Sequence, residues 1–376
     1  MTNRCIFIAT TWWGGDNSLA LYHRALAEEI ARRGWRVVML VPGNAKAAAP
    51  DGNPAVYDWP SRRPTRLQDA AFLRKLILRH RPRCVLSSFG AVNVCTTVSR
   101  LLGVSHRLAW YHTLTSQIDI DWKQSQPKKR LLRLRKRLVY RMATKLIPVS
   151  EAAQRDLLGA FGVPARKCQV FYNSLPAPRI HLGSDVRDAG NVMCVGRLDA
   201  VKGQDVLIRA FARIAEELPG AQVHLAGSGP TEESLRKLAD HLGIADRVNF
   251  LGALPPNEVL ERLQLAAVSI VPSRSDNCPH VVIESLACGT PVIASAVGGI
   301  PEMLTDGEDA LLVPPDDPGL LADRLQSVLS DHELSHRLSR GALAKFENQF
   351  DSARVVPRQV DWLLSEISSR QADTSD

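Results

Sequence analysis

One local pattern constrains this chain more than any other: a strand-sized apolar run, a glycine-bearing turn, then a stretch with apolar residues at helical spacing. Residues 5–10 are apolar and β-rich, Gly14-Gly15 follow, and residues 19–33 carry helical periodicity until Gly34. Apolar runs at 36–41, 84–88, 108–112, 146–149 and 169–172 predict further strands. The pattern breaks up at 176–190, where Pro176, Pro178, Gly183 and Gly190 mark a linker. It then starts afresh, with strands expected at 192–195, 222–226, 248–251, 268–271, 292–294 and 310–313. Between the first two lies a helix expected at 204–218, with Val206, Leu207, Ala210, Phe211, Ile214 and Leu218 along one side. Short strands alternating with helices call for parallel sheets covered on both faces. The expected fold class is therefore α/β, with two Rossmann-like domains facing each other across a deep cleft. They occupy 1–175 and 191–356, joined by the linker 176–190, and a last helix at 357–372 is expected to join the first domain.

At 376 residues the chain is long enough for two full cores, and 45% hydrophobic against 23% charged residues argues against wholesale disorder. Residues 1–13 lack the basic and apolar regions of a secretory signal, and the longest apolar runs, such as 266–272, are strand-sized. Seven scattered cysteines without a CxxC suggest neither a zinc site nor a disulfide framework, so a cytoplasmic setting is expected. Much of the net charge of +8 sits at 128–145, KKRLLRLRKRLVYRMATK. The favoured reading turns its leucines to the core and its cations to water. The sharper reading is peripheral contact with anionic lipid at the inner face of a membrane, or with an anionic acceptor. No nucleic-acid reader motif accompanies the charge, so nucleic acid is not an expected partner.

The chemistry concentrates in two segments. In VGRLDAVKG, 195–203, a strand ends at Gly196, a tight loop follows, and a helix begins near Gln204. Loops at the carboxyl ends of parallel strands are where such sheets bind ligands. Arg197 and Lys202, five residues apart, can converge there on one diphosphate, or can be two plain surface cations. In SDNCPHVVIESLACGTP, 275–291, Pro279 suits the first helical turn and Gly289 the position past the helix end. Free backbone amides at the helix start make Asn277, Cys278, Pro279, His280 and Val281 candidate contacts for an anionic donor. Asp276 and Glu284 lie eight residues apart. Burying Glu284 unpaired among Val281, Val282, Ile283, Leu286 and Ala287 would be costly, and ribose hydroxyls or a structural partner would each satisfy it.

These blocks, with LAGSGP at 225–230 and VNFLG at 248–252, resemble the nucleotide-sugar domain of the GT4 family of retaining GT-B glycosyltransferases, in order and spacing across 191–314. The first half is similar more weakly, through Gly14-Gly15, Val149-Ser150-Glu151 and Tyr172-Asn173. The resemblance implies a GT-B fold and a hexosyltransferase that moves sugar from a nucleotide-diphosphate donor, UDP-sugar by family habit, to an acceptor hydroxyl. A lipid-linked or cell-envelope glycan and a small metabolite both stand as acceptors. It also implies that Arg197 and Lys202 bind the diphosphate and that Glu284 binds the ribose as the second carboxylate of the E-x7-E motif. Asp276 takes the place of the first, beside the donor sugar, with a side chain one methylene shorter. Gly14 and Gly15 fall in the loop that nears the diphosphate, and His112 falls where a histidine reaches the transferred sugar. His112, Arg197, Lys202 and Asp276 are the expected catalytic set.

Asp119-Ile120-Asp121 is a DxD, a pattern that elsewhere holds a divalent metal. It is common by chance and far in sequence from the cation pair, so no metal is expected. Gly227-Ser228-Gly229 lacks a third glycine, which argues against a dinucleotide enzyme. His112 can also be read as a core histidine. Trp12, Trp13, Trp110 and Tyr111 can line an acceptor site or fill the core. A silent nucleotide-sugar-binding or partner-binding protein, or an epimerase on the same fold, is the alternative to a transferase.

Overall fold

Strand β1 (Cys5–Ala9) is buried at all five positions, as a strand covered on both faces must be. The computed structural model describes residues 4–10, 17–42, 49–116, 126–178 and 188–369. Trp12, Trp13, Gly14, Gly15, Asp119 and Asp121 therefore lie outside the described residues. The chain divides into two compact units, one of Met1–Thr113, Gln124–Ser174 and Ser352–Asp376, the other of Leu114–Lys123 and Leu175–Asp351.

In the first unit β1 pairs in parallel with β2 (Arg36–Val41) on one side and β4 (Cys84–Ser87) on the other. With β3 (Ala55–Asp58), β5 (His106–Tyr111) and β6 (Lys145–Pro148), the order is β3-β2-β1-β4-β5-β6. Phe7 thereby stands level with both Val38 and Val85 in the sheet's centre. The chain moves outward from β1 to β3, then returns to β4 on the far side of β1. The loops after β1 and β4 thus diverge at a topological switch point, where open α/β sheets take their ligands. Residues 169–172 form no strand. The amides of Gln169 and Phe171 reach the carbonyls of Leu146 and Pro148, but only one bridge, Leu146 to Cys168, results. The edge strand β3, Ala-Val-Tyr-Asp, was not expected, because it carries no continuous apolar run.

The last helix runs Ser352–Ser369, starting five residues before the expected position and holding Pro357 inside. Proline there removes one helical amide without ending the helix, so the residue that looked like a start is an interior one. Its buried Val356, Val360, Leu363 and Ile367 face the first unit, where the Tyr22 hydroxyl donates to Gln359 Oε1 at 2.7 Å.

The helix Gln126–Met142 reverses the favoured facing of its leucines. Val139 and Tyr140 are buried, whereas Leu131, Leu134 and Leu138 are 68%, 55% and 53% exposed. The inward face is already filled, with Tyr140 edge-on to Phe161 and the Lys136 ammonium over the same ring.

The second unit holds β7 (Asp188–Val195), β8 (Gln222–Ala226), β9 (Val248–Gly252), β10 (Ala266–Val271), β11 (Val292–Ser295) and β12 (Leu311–Val313). They form a second parallel sheet in the order β12-β11-β10-β7-β8-β9. β7 begins inside the stretch read as linker. Leu207, Phe211 and Ile214 of the helix Gln204–Ile214 pack with Val223, Leu225 and Ile270 in its core. Its switch point lies between β7 and β10, and the two motif-bearing loops leave from those strands.

Among the described residues no helix is long and apolar enough to cross a membrane. All seven cysteines are free, six of them buried, and burial pushes the Cys5 and Cys194 thiols up to about 12.

Candidate functional site

Two glycines let the loops of the second switch point close on each other. Gly203, at φ 67°, ends the loop after β7, and a Cβ there would sit 2.0 Å from the Pro272 carbonyl oxygen in the loop after β10. Gly298, at φ 56°, brings the turn after β11 onto that same loop, where a Cβ would lie 1.7 Å from the Asp276 carbonyl oxygen. Any side chain would force the backbones apart at both positions. Arg274 ties the loops further, with Nη1 on the Ala200 carbonyl at 2.7 Å and a fork onto the Asp205 carboxylate at 2.8 and 2.7 Å.

Within this frame Lys202 and Asp276 meet although 74 residues separate them. Lys202 Nζ donates to Asp276 Oδ2 at 2.5 Å. The same oxygen accepts from Ser273 Oγ at 3.2 Å, and Oδ1 accepts from the Asn277 amide at 3.1 Å. Asp276 is buried, so its orientation is set by these three donors rather than by water. Asp199 organises the other cation. Its carboxylate caps the short turn Ala200–Lys202 by accepting from the Lys202 amide, and pairs with the Arg197 guanidinium. The Arg197 side chain is 61% exposed, a cation held at its base and presented to solvent. Sequence reasoning missed Asp199. Its signal was an aspartate three residues before Lys202, the spacing of a side-chain cap.

The helix His280–Ala287 begins one residue later than expected, with Pro279 as its cap rather than in its first turn. Asn277 and Cys278 are buried at its entrance. Burial pushes the His280 imidazole down to about 4, with Lys202 adding to the fall and Asp276 opposing it. His280 Nδ1 is buried without a hydrogen-bond partner among the described residues. Glu284 is only half-buried, while Val281, Val282, Ile283, Leu286 and Ala287 around it are buried, so the full burial weighed from sequence does not arise. Ser116 Oγ lies 3.0 Å from Ser275 Oγ beside Asp276.

Arg197, Lys202, Asp276, Asn277, Cys278, Pro279, His280, Val281 and Glu284 all belong to the second unit. His112 belongs to the first. It follows β5, half-buried, with its ring stacked on Phe89 at 4.3 Å between centroids and 6° between planes. Trp110 and Tyr111, both 3% exposed, follow the second of their two readings and fill the core. The Tyr111 hydroxyl donates to Asp156, and burial drives its pKa upward. Among the described residues no three histidine, cysteine or acidic side chains gather as a metal would need.

Two parallel sheets, each with its switch point, and a cation pair beside a helix start define a two-unit nucleotide-type α/β architecture. Comparison with known proteins is more specific. Residues 187–345 match the family described as Glycosyl transferases group 1, and residues 19–174 match the Glycosyl transferase 4-like domain. The chain belongs to the group 1, GT4-like glycosyltransferase family. A D-inositol 3-phosphate glycosyltransferase of Acidothermus cellulolyticus is 35% identical over 220 residues, 54% of this chain and 49% of the relative. The chain thus spans about half the length of the curated relatives it matches. Sucrose-phosphate synthase from Thermosynechococcus elongatus superposes with a TM-score of 0.80 at 21% identity, over 97% of this chain and 100% of the other. Anabaena HepE, in complex with UDP-glucose, gives 0.75 at 18% identity over 96% and 99%. At such identities these two matches establish the GT-B fold alone.

Proposed function

We propose that this chain is a retaining glycosyltransferase that moves a sugar from a UDP-sugar to an acceptor hydroxyl. The observation that carries the reading is the Lys202–Asp276 pair at the second switch point, with Arg197 on the same loop. Departure of the donor's diphosphate builds negative charge on the leaving oxygen. Arg197, Lys202 and the amides at the start of the helix His280–Ala287 neutralise it. Asp276 holds the Lys202 ammonium in place before the donor arrives, the preorganisation from which electrostatic catalysis draws its strength. Asp276 already accepts three hydrogen bonds, which suits orienting the donor sugar better than attacking it. Retention then follows from attack on the face the leaving group vacates. Glu284 binds the ribose, the Gly14–Gly15 loop meets the diphosphate, and His112 meets the transferred sugar. The relatives named D-inositol 3-phosphate glycosyltransferase and the UDP-glucose complex of HepE support a nucleotide-diphosphate sugar as donor. Two cations face the diphosphate, so no metal is required. Hydrolysis of UDP-glucose, followed in EDTA, tests both points. Alanine at Arg197 or Lys202 is expected to lower turnover about a hundredfold with the fold kept, Lys202→Ala melting lower because it leaves the buried Asp276 without its cation. Near-normal turnover in the double variant sinks the assignment.

A second reading concerns where the chain works. The helix Gln126–Met142 rests on an anionic membrane surface at the cytoplasmic face, which favours a lipid-linked or other membrane-borne acceptor over a small soluble one. Its three exposed leucines support this, because a helix whose charges merely solvate it has no use for them. Co-sedimentation with phosphatidylglycerol vesicles at low salt tests it. A protein that stays in the supernatant returns the helix to a plain solvated face.

A further inference from the structure

Phe89 stands in a conformation that a phenylalanine seldom holds. Its φ is 48°, in the left-handed region, where a bulky side chain crowds its own backbone. The next residue, Gly90, has an ordinary helical φ of −64°, so the one residue that could adopt a positive φ freely is not the one asked to. The backbone on either side pins the turn. The Ser88 amide and hydroxyl both donate to the Ala9 carbonyl, at 2.9 and 3.3 Å, and the Ala91 amide donates to the Ser88 carbonyl at 3.2 Å. These bonds fix the loop after β4 against the end of β1, at the first unit's own switch point. Strain of this kind persists only where the surroundings over-determine it, and it gathers at functional sites.

The strained φ places the Phe89 ring flat against the His112 imidazole. The planes are 6° apart, whereas the Trp110 ring stands farther from His112, at 6.4 Å and 29°. Phe89 is 37% exposed, so the ring is not buried as core filling. A solvent-facing aromatic ring in a costly backbone conformation contributes little to folding there.

We infer that Phe89 is a positioning residue for His112: its ring covers one face of the imidazole and fixes the plane in which the ring nitrogens lie. The geometry of that imidazole bears directly on turnover, because a ring nitrogen displaced by about 1 Å lowers a rate by about a hundredfold. The inference rests on the proposed role of His112 at the transferred sugar.

Four variants test it: Phe89→Gly, Phe89→Leu, Phe89→Tyr and His112→Ala, each assayed for UDP-glucose hydrolysis and thermal stability. Phe89→Gly relieves the backbone strain, so its melting temperature is expected to hold or rise while kcat falls about tenfold to a hundredfold at unchanged KM. Phe89→Leu fills the space without stacking and is expected to lose turnover likewise. Phe89→Tyr keeps the stack and is expected to restore it. In proton–carbon NMR spectra, the His112 ring protons are expected upfield in the wild type and to move downfield in Phe89→Gly as the ring current goes. A lower melting temperature in Phe89→Gly makes Phe89 a packing residue and overturns the inference. Unchanged kcat in Phe89→Gly or Phe89→Leu overturns it too, as does a rise in KM alone, which makes Phe89 a substrate contact. If His112→Ala also keeps full turnover, the assignment of His112 has failed, and the positioning role falls with it. If His112→Ala is impaired while the Phe89 variants are not, only the positioning role has failed.

Discussion

His280 begins its helix with an imidazole that burial holds near a pKa of about 4, against 6.5 for an exposed histidine. The unfolded chain therefore binds a proton there between those values while the native chain does not. Native stability contributed by this residue is full above pH 6.5 and is lost as pH falls toward about 4, on the order of 3 kcal/mol in total. Asp276, which favours the charged ring, and Lys202, which disfavours it, both face it, so a bound diphosphate beside Lys202 shifts the balance toward protonation. His280→Asn is expected to flatten the fall of melting temperature between pH 6.5 and 4.5. A variant whose melting curve tracks the wild type across that range removes His280 as the cause. At this scale the sequence was most legible where chemistry and spacing coincided. Arg197, Lys202 and Asp276 stood in loops after strands, and parallel topology brings such loops together. Phe89 gave no signal, because its backbone angle and its stacking partner exist only in three dimensions.

At the scale of elements, strands with long apolar runs were legible nearly to the residue. β2 and β8 fall on their expected bounds, and for β2, buried at every position after Arg36, the reason is that a strand covered on both faces admits few polar positions. Edges were not legible. β3 was missed and 169–172 overread, because an edge segment answers to one neighbour only, and apolar composition does not tell whether that neighbour pairs with it. The helix Gln126–Met142 shows the same limit in another form. Its periodicity revealed a leucine stripe but not the direction the stripe faces. At 100° per residue Leu131, Leu134 and Leu138 share about 60° of arc, with Arg135 on one border and Arg130, Arg137 and Arg141 on the other. All four arginines are exposed, and the helix carries no acidic residue. Each cation near an anionic surface is worth about 1 kcal/mol, so Arg130→Gln, Arg137→Gln and Arg141→Gln together are expected to lower partitioning onto phosphatidylglycerol vesicles about a hundredfold. Serine at the three leucines is expected to abolish binding that survives at high salt, where charge is screened within about 3 Å. If the leucine variant binds like the wild type, attraction is purely electrostatic and the stripe has another use. If the stripe instead drives self-association in sedimentation without lipid, a second copy of the chain is its partner.

At the scale of the molecule, the two units differ in how they are closed. The second is built from one nearly continuous run of chain, Leu175–Asp351, whereas the first needs both ends of the sequence. The helix Ser352–Ser369 comes back to the first unit, where Tyr22 bonds Gln359, Arg33 pairs with Asp361 at 2.6 Å, and Phe171 meets Trp362 edge-on. The ion pair is largely exposed and contributes little. Apolar burial decides the matter. Val356, Val360, Leu363 and Ile367 are each no more than 2% exposed, and burying four such side chains is worth about 6–12 kcal/mol. A whole domain is stable by only about 5–15 kcal/mol, so removal of this helix takes most of what holds the first unit together. A chain ending at Asp351 is expected to lose hydrogen-exchange protection in β1, β2 and β4 while β7, β8 and β10 keep theirs. The residues proposed to hold the nucleotide, Arg197, Lys202 and Glu284, belong to the second unit, so the truncated chain is also expected to retain measurable affinity for UDP in calorimetry while hydrolysing no UDP-glucose. Full protection of β1 in the truncated chain would show that the first unit closes without its last helix, and the burial argument would fail there.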